Sequence, residues 1–222
     1  ITEGVGASEK ARCYVAQFAA ATGAICRNYG ISGTRIARRR VPYDNPEFDR
    51  DYPSRVPEMD PDADVVVVFG GTNDYGHGDA PLGEMSDRTV WTYYGALHVL
   101  FTTLIEKYPT SAIVILTPLH REDEESRTPS LKSFVDATRQ VAEYCSLPVL
   151  DLDKESGMQP NVPVIQEMYI PDGLHPNDAG HEVLKNMIYS FLKSREMEKT
   201  LHRGEFCGIL HLCRQKVTAQ RN

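Results

Sequence analysis

The sequence is poor in the features that mark several protein classes. No stretch reaches the roughly 18 consecutive apolar residues that a membrane-spanning helix needs. A basic excess is also missing: the net charge is −7, with 24 Lys and Arg against 31 Asp and Glu. Binding to a phosphate backbone needs a positive field that displaces counterions, so no nucleic-acid partner is expected. The five cysteines, Cys13, Cys26, Cys145, Cys207 and Cys213, are scattered and never form CxxC. A disulfide framework is not expected in a chain long enough to build its own core. Cys13, Cys26 and Cys145 fall in apolar stretches and read as small buried hydrophobes. No GxGxxG opens a helix after a strand and no GxxxxGK[ST] occurs, which disfavours a nucleotide-binding module. Metal-ligand spacings such as HxxxH are not formed, so neither a metal nor an organic cofactor is expected. No signal peptide is visible; a cytoplasmic location is favoured, with secretion left open, and the oligomeric state is not readable.

What is present is an ordinary globular balance of 41% apolar and 25% charged residues over 222 positions, which suits a folded domain and not a disordered chain. Apolar runs alternate with helix-period stretches, the pattern of a parallel α/β sheet. The spacing predicts helices over Glu9–Thr22 (with Ser8 as N-cap), Ser86–Tyr108, Ser130–Cys145 and Asn177–Lys193. A brief helix is expected over Arg35–Arg40. Strands are expected at Ala24–Cys26, Val65–Phe69, Ala112–Leu116 and Pro148–Leu152. The run Val65-Val66-Val67-Val68-Phe69, closed by Gly70-Gly71, suits a strand covered on both faces. The domain is taken as residues 1–195, followed by a tail over 196–222. The tail reads as an extra strand, a disordered extension or sequence foreign to the fold. Its apolar island Phe206–Leu210 is a candidate for a strand position left vacant in the sheet.

Three polar motifs fall at strand ends or before a helix, where open α/β sheets place their ligands. They are Asn28-Tyr29-Gly30-Ile31-Ser32-Gly33, Gly70-Gly71-Thr72-Asn73-Asp74 and Asp172-Gly173-Leu174-His175-Pro176. An Asp three residues before a His can accept from Nδ1–H across a turn and leave Nε2 as a general base. Taken alone, such a pair is as readily an ordinary turn. The Asn73 carboxamide can donate to developing negative charge, or merely stabilise its own turn. Gly33 can bring its backbone N–H close to a ligand, or serve only as a turn glycine.

As a set, these blocks resemble the SGNH hydrolase (GDSL-like lipase/esterase) family, named for its catalytic Ser, Gly, Asn and His. The opening Ile1-Thr2-Glu3-Gly4 looks like the continuation of that family's Gly-Asp-Ser block. The resemblance covers about Ile1 to Lys193. It implies a flavodoxin-like three-layer α/β/α fold with a mostly parallel sheet, its first strand missing from the chain. It also implies hydrolysis of a small acyl or acetyl ester through an acyl-enzyme. His175 would be the base, Asp172 its orienting partner, and Gly33 and Asn73 the oxyanion hole. The nucleophilic serine is expected just before residue 1. A catalytically inactive domain that binds carbohydrate or a protein partner is the alternative. Among the other histidines, His77 is a candidate to line the substrate cleft and His120 to face it, while His98 and His181 read as structural. Arg38-Arg39-Arg40 is either a solvated helix end or a site for an anionic substrate or partner. Ser8 and Ser32 are the other serines near these blocks. Neither is expected to replace the nucleophile.

Overall fold

The computed structural model describes residues 1–195 throughout, and only the backbone at 205–208 and 211–214. Its centre is a parallel three-stranded sheet in the order β1 (Val65–Phe69), β2 (Ala112–Leu116), β3 (Val149–Leu150). Val65 pairs with Ala112 and Phe69 with Leu116, and Leu116 in turn aligns with Leu150. Successive residues of a strand face opposite sides, so the valine run serves two cores at once. Val66 and Val68 pack with α4 (Tyr93–Lys107) and α5 (Leu131–Tyr144). Val65, Val67 and Phe69 pack with α1 (Tyr14–Thr22) and α8 (Asp178–Ser194). All five residues of β1 are buried, as an uninterrupted β-branched run requires. The result is the flavodoxin-like three-layer arrangement. Shorter helices complete the described chain: α2 (Tyr52–Arg55), α3 (Thr72–His77), α6 (Leu152–Glu155) and α7 (Pro163–Tyr169). No described helix is long and apolar enough to cross a membrane.

Several local expectations are corrected. Arg35–Arg40 is not helical, because its backbone N–H groups are committed to other segments. Ile36 and Ala37 donate to Asp74, Arg38 to the Val90 carbonyl, and Arg40 to Asp79. The arginines there are not a solvated helix end: Arg38 pairs with Asp51 at 2.7 Å, and Arg39 lies 3.8 Å over the Tyr43 ring. Helix α4 begins at Tyr93, later than expected, since Thr92 caps it by accepting from Gly95 N. Asp87 accepts from both Glu84 N and the Thr92 hydroxyl, which holds the preceding residues in a turn. Ser8 caps no helix; its hydroxyl donates to Asp178 Oδ2 at 2.7 Å. Ala24–Cys26 forms no strand, having no strand beside it among the described residues. Cys26 is disulfide-bonded and so is not the free buried thiol expected, whereas Cys13 and Cys145 are free.

In the tail, β4 (Glu205–Gly208) pairs antiparallel with β5 (His211–Arg214). The β4 backbone lies beside β1, and its hydrogen-bonded partner strand among the described residues is β5. Residues 206–208 of the expected island thus lie in this hairpin, and residues 209–210 lie outside the described ones.

His181 on α8 is wholly buried and accepts from Tyr14 N at 3.2 Å, with its ring stacked on that of Tyr14. Burial pushes its imidazole down to about 4. A base whose folded pKa is lowered favours folding above its unfolded pKa and loses that contribution as pH falls through the folded value. Unfolding free energy is thus expected to decline from about pH 6.5 toward pH 4, by about 3 kcal/mol from this group. Urea titrations at pH 7 and 4.5 check this: His181→Gln, which keeps an acceptor without a charge, should show a shallower decline than the parent.

Candidate active site

The carboxyl end of β1 runs into two glycines that a larger residue could replace only if buried tyrosines shifted. A Cβ on Gly70 would lie 2.7 Å from Tyr52 Cε2, and one on Gly71, at φ 106°, would lie 2.4 Å from Tyr93 Oη. This turn delivers Asn73 and Asp74 at the start of α3. Asn73 Nδ2 donates to the Thr34 carbonyl at 2.8 Å, leaving its second amide hydrogen for another acceptor. Asp74 is buried and receives Ile36 N at 3.0 Å and Ala37 N at 2.8 Å. Burial pushes its carboxyl up to about 7, against the lowering effect of those two bonds. Both side chains therefore fasten the loop after Gly33 to the end of β1.

Gly33 adopts φ 76°, a left-handed conformation that suits glycine. Its neighbour Ser32 donates its backbone N–H to Glu3 Oε2 at 2.6 Å. Ser32, through its side chain first and then through this bond, holds the Glu3 carboxyl below the ordinary range against the raising effect of partial burial. No acceptor for the Gly33 N–H is found among the described residues.

The third block forms a tight turn. Asp172 Oδ2 lies 2.7 Å from His175 Nδ1, while its Oδ1 accepts from His175 N at 2.6 Å and Leu174 N at 2.9 Å. Partial burial acts to raise the Asp172 carboxyl, but these bonds outweigh it and hold it below the ordinary range. Because the carboxylate accepts at Nδ1, neutral His175 carries its proton there and keeps Nε2 as the basic nitrogen. The turn is braced from the N-terminal segment: a Cβ on Gly6, at φ 96°, would lie 2.2 Å from the Pro176 carbonyl and 2.9 Å from His175 Cβ. Ser8 bonds Asp178 beyond it through both backbone and hydroxyl.

Gly33, Asn73 and His175 line one pocket of about 190 Å³, together with Ile1, Thr2 and Glu3. Tyr52, Phe69, Gly70 and Leu119 also line it. The expected residues thus meet, with Asp172 reached through His175. His77 does not join them: its Nδ1 lies 3.3 Å from both Arg35 Nη1 and Tyr43 Oη. His120 also stays out of the pocket and bonds Glu124 at 2.7 Å. His98 reaches the Met85 carbonyl from inside α4. Asp74, Gly6 and Glu3 act through partners far along the chain, which no local sequence pattern announces. The Asp directly after Asn73 was the one local signal. Among the described residues, no group of three or more His, Cys, Asp or Glu is placed to hold a metal ion.

Comparison with known proteins bears directly on this arrangement. The GDSL-like lipase/acylhydrolase family matches residues 1–183. The chain belongs to that family. One solved structure is 31% identical and aligns over 86% of this chain and 90% of its own, at a TM-score of 0.74. A protein from Lactobacillus plantarum is 34% identical over 74% of this chain and 79% of its own, with a TM-score of 0.65. A protein from Bacteroides ovatus described as a GDSL-like lipase is 19% identical, covering 84% and 81% at a TM-score of 0.63, a likeness of fold alone. A comparison with curated proteins gives no match. Membership in the GDSL-like family makes the chain, by resemblance, an SGNH-type hydrolase.

Two substitutions probe how this GDSL-like site is held. Asp74→Ala leaves two buried N–H groups unpaired and should cost about 2–5 kcal/mol in urea unfolding. Gly6→Ala forces the Pro176 carbonyl and His175 apart from the N-terminal segment. In the protein carrying the serine expected before Ile1, ester hydrolysis should then fall by about tenfold to a hundredfold, the order expected for a misplacement near 1 Å, with kcat/KM as the measurement.

Proposed function

We propose that this protein is a serine esterase that hydrolyses small acyl or acetyl esters through an acyl-enzyme, with its nucleophile a serine bonded directly to the nitrogen of Ile1. The observation that carries this reading is the place of Ile1, which lines the same pocket as Gly33, Asn73 and His175. A side chain one residue earlier enters that pocket beside the base. His175 Nε2 takes the serine proton as Oγ attacks the ester carbonyl, and Asp172 steadies the imidazolium through Nδ1. The carbonyl oxygen, now negative, receives the Gly33 N–H and the free Asn73 amide hydrogen. His175 returns the proton to the departing alcohol. Water, activated by the same nitrogen, then releases the acid and restores the serine.

The size of the pocket supports a short acyl group. At about 190 Å³, with Tyr52 and Phe69 in its lining, it suits an acetyl-sized chain and not a long lipid tail. Glu3, Val5, Ile31 and Ser32 also border a wider groove of about 530 Å³, along with Phe48. Val5 and Phe48 are exposed there, and this groove is the place for the alcohol half of the ester. An acetylated sugar fits it better than a lysophospholipid, since the Glu3 carboxylate at the junction repels a phosphodiester.

The test is hydrolysis of p-nitrophenyl acetate by the protein carrying Gly-Asp-Ser before Ile1, beside its His175→Ala variant. Loss of the base should lower kcat by about a thousandfold or more. Hydrolysis no faster than that of the variant would sink the enzyme reading and leave a binding domain in its place.

A further inference from the structure

The oxyanion glycine of the proposed esterase has a carbonyl as well as an N–H, and the carbonyl is gripped from behind. Arg35, with its side chain 3% exposed, donates from Nη1 to the Gly33 carbonyl at 3.2 Å and from Nη2 to the Phe48 carbonyl at 2.9 Å. Asp49 Oδ1 stands 3.5 Å from the same Nη2. The guanidinium lies over the Tyr43 ring, 5.1 Å from its centroid. On its outer side, Arg35 Nη1 meets His77 Nδ1 at 3.3 Å. Arginine is always a donor, so His77 Nδ1 must be the acceptor and the ring must be neutral with its proton on Nε2.

We propose that Arg35 is a positioning residue for the oxyanion hole, fixing the Gly33 peptide by its carbonyl, and that neutral His77 is the brace that aims it. The proposal rests on the esterase reading of the site. It assigns His77 a role behind the pocket, not in contact with substrate. The other groups facing His77 are Tyr43 Oη, Arg39, whose Nη1 reaches the His77 carbonyl at 3.5 Å, and Arg121. No carboxylate is bonded to its ring among the described residues. Partial burial and these arginines hold the imidazole below the ordinary histidine range. His77 is nevertheless exposed at the surface, so a proton from solvent reaches it in acid. Protonation turns the acceptor into a donor aimed at a cation and removes the brace. The sequence places no local signal on this link, because Arg35 and His77 lie 42 residues apart.

The experiment uses kcat, KM and the inhibition constant of a boronic acid, which needs the oxyanion hole, in the serine-bearing protein. His77→Leu should lower kcat by about tenfold or more, with KM changed less than about threefold, and weaken the boronic acid by a similar factor. His77→Gln, whose amide oxygen accepts from Arg35, should recover most of the loss. Arg35→Lys keeps the charge but cannot span both carbonyls and His77, and should behave like His77→Leu. A rise in KM at constant kcat in His77→Leu would make His77 a substrate ligand and overturn the proposal, as would unchanged kcat in folded Arg35→Lys. If neither variant folds, NMR on the unsubstituted chain decides. The Gly33 amide resonance should shift in acid with the midpoint of the His77 ring signals, and a Gly33 resonance that ignores His77 overturns the clamp. An inactive parent protein defeats the esterase reading itself, whereas this NMR measurement judges the clamp without turnover.

Discussion

A buried carboxylate with two backbone N–H donors joins segments 37 and 38 residues apart, and the shape of the site depends on it. Asp74 sits one residue after Asn73, at the end of the strand that both cores share. Its donors, Ile36 and Ala37, lie three and four residues after Gly33. A rigid strand thereby dictates where a loop glycine stands, through a carboxylate too buried to find other partners. Asn73 adds its own bond to Thr34 from the same helix start. The loop has no regular structure of its own between Gly33 and Val41, and these side-chain bonds replace the backbone bonds that a helix would have made.

The walls of the pocket follow a second constraint. Glycines 70 and 71 let Tyr52 and Tyr93 approach the strand end to distances that a Cβ would forbid. Both phenols are satisfied there: Tyr52 reaches the Phe69 carbonyl at 3.1 Å, and Tyr93 meets Thr138 Oγ1 at 2.8 Å. Burial pushes the Tyr52 phenol up to about 12. A cavity edged by the fixed ring of Tyr52, with Tyr93 packed behind the Gly71 turn, is set in size before any ligand arrives. The neighbouring groove lies between the N-terminal segment and the loop around Phe48, and its breadth is governed by those surface segments.

The elements that read most clearly in sequence are those whose signal is local and repetitive. The valine strand, Ala112–Leu116, α5 and α8 follow from uninterrupted β-branched runs or a sustained helical period. Asn177 caps α8 by accepting from Gly180 N, one residue later than the helix start expected. The failures share a physical cause, which is competition from distant side chains. Asp74 and Asp79 draw backbone N–H groups away from an Arg35–Arg40 helix. Asp178 claims Ser8 from its cap role. At the site, the Asp172–His175 turn is legible because its members lie only three positions apart. The bracing by Gly6, Glu3 and Arg35 was not, since it is created only when remote segments fold together.

One consequence concerns the order of events as the chain is made. The N-terminal segment is bonded to α8 across 170 residues by Ser8 and Asp178, and across 167 by Tyr14 and His181. Contacts this distant in sequence form late, because the intervening chain must be closed first. A ribosome delivers β1, Asn73 and the Gly33 loop long before it delivers His175. A nascent chain therefore holds the Gly33 and Asn73 side of the pocket before the Asp172–His175 turn has been made. The pocket is a property of the closed chain, finished only when the Asp172–His175 turn meets segments made well before it.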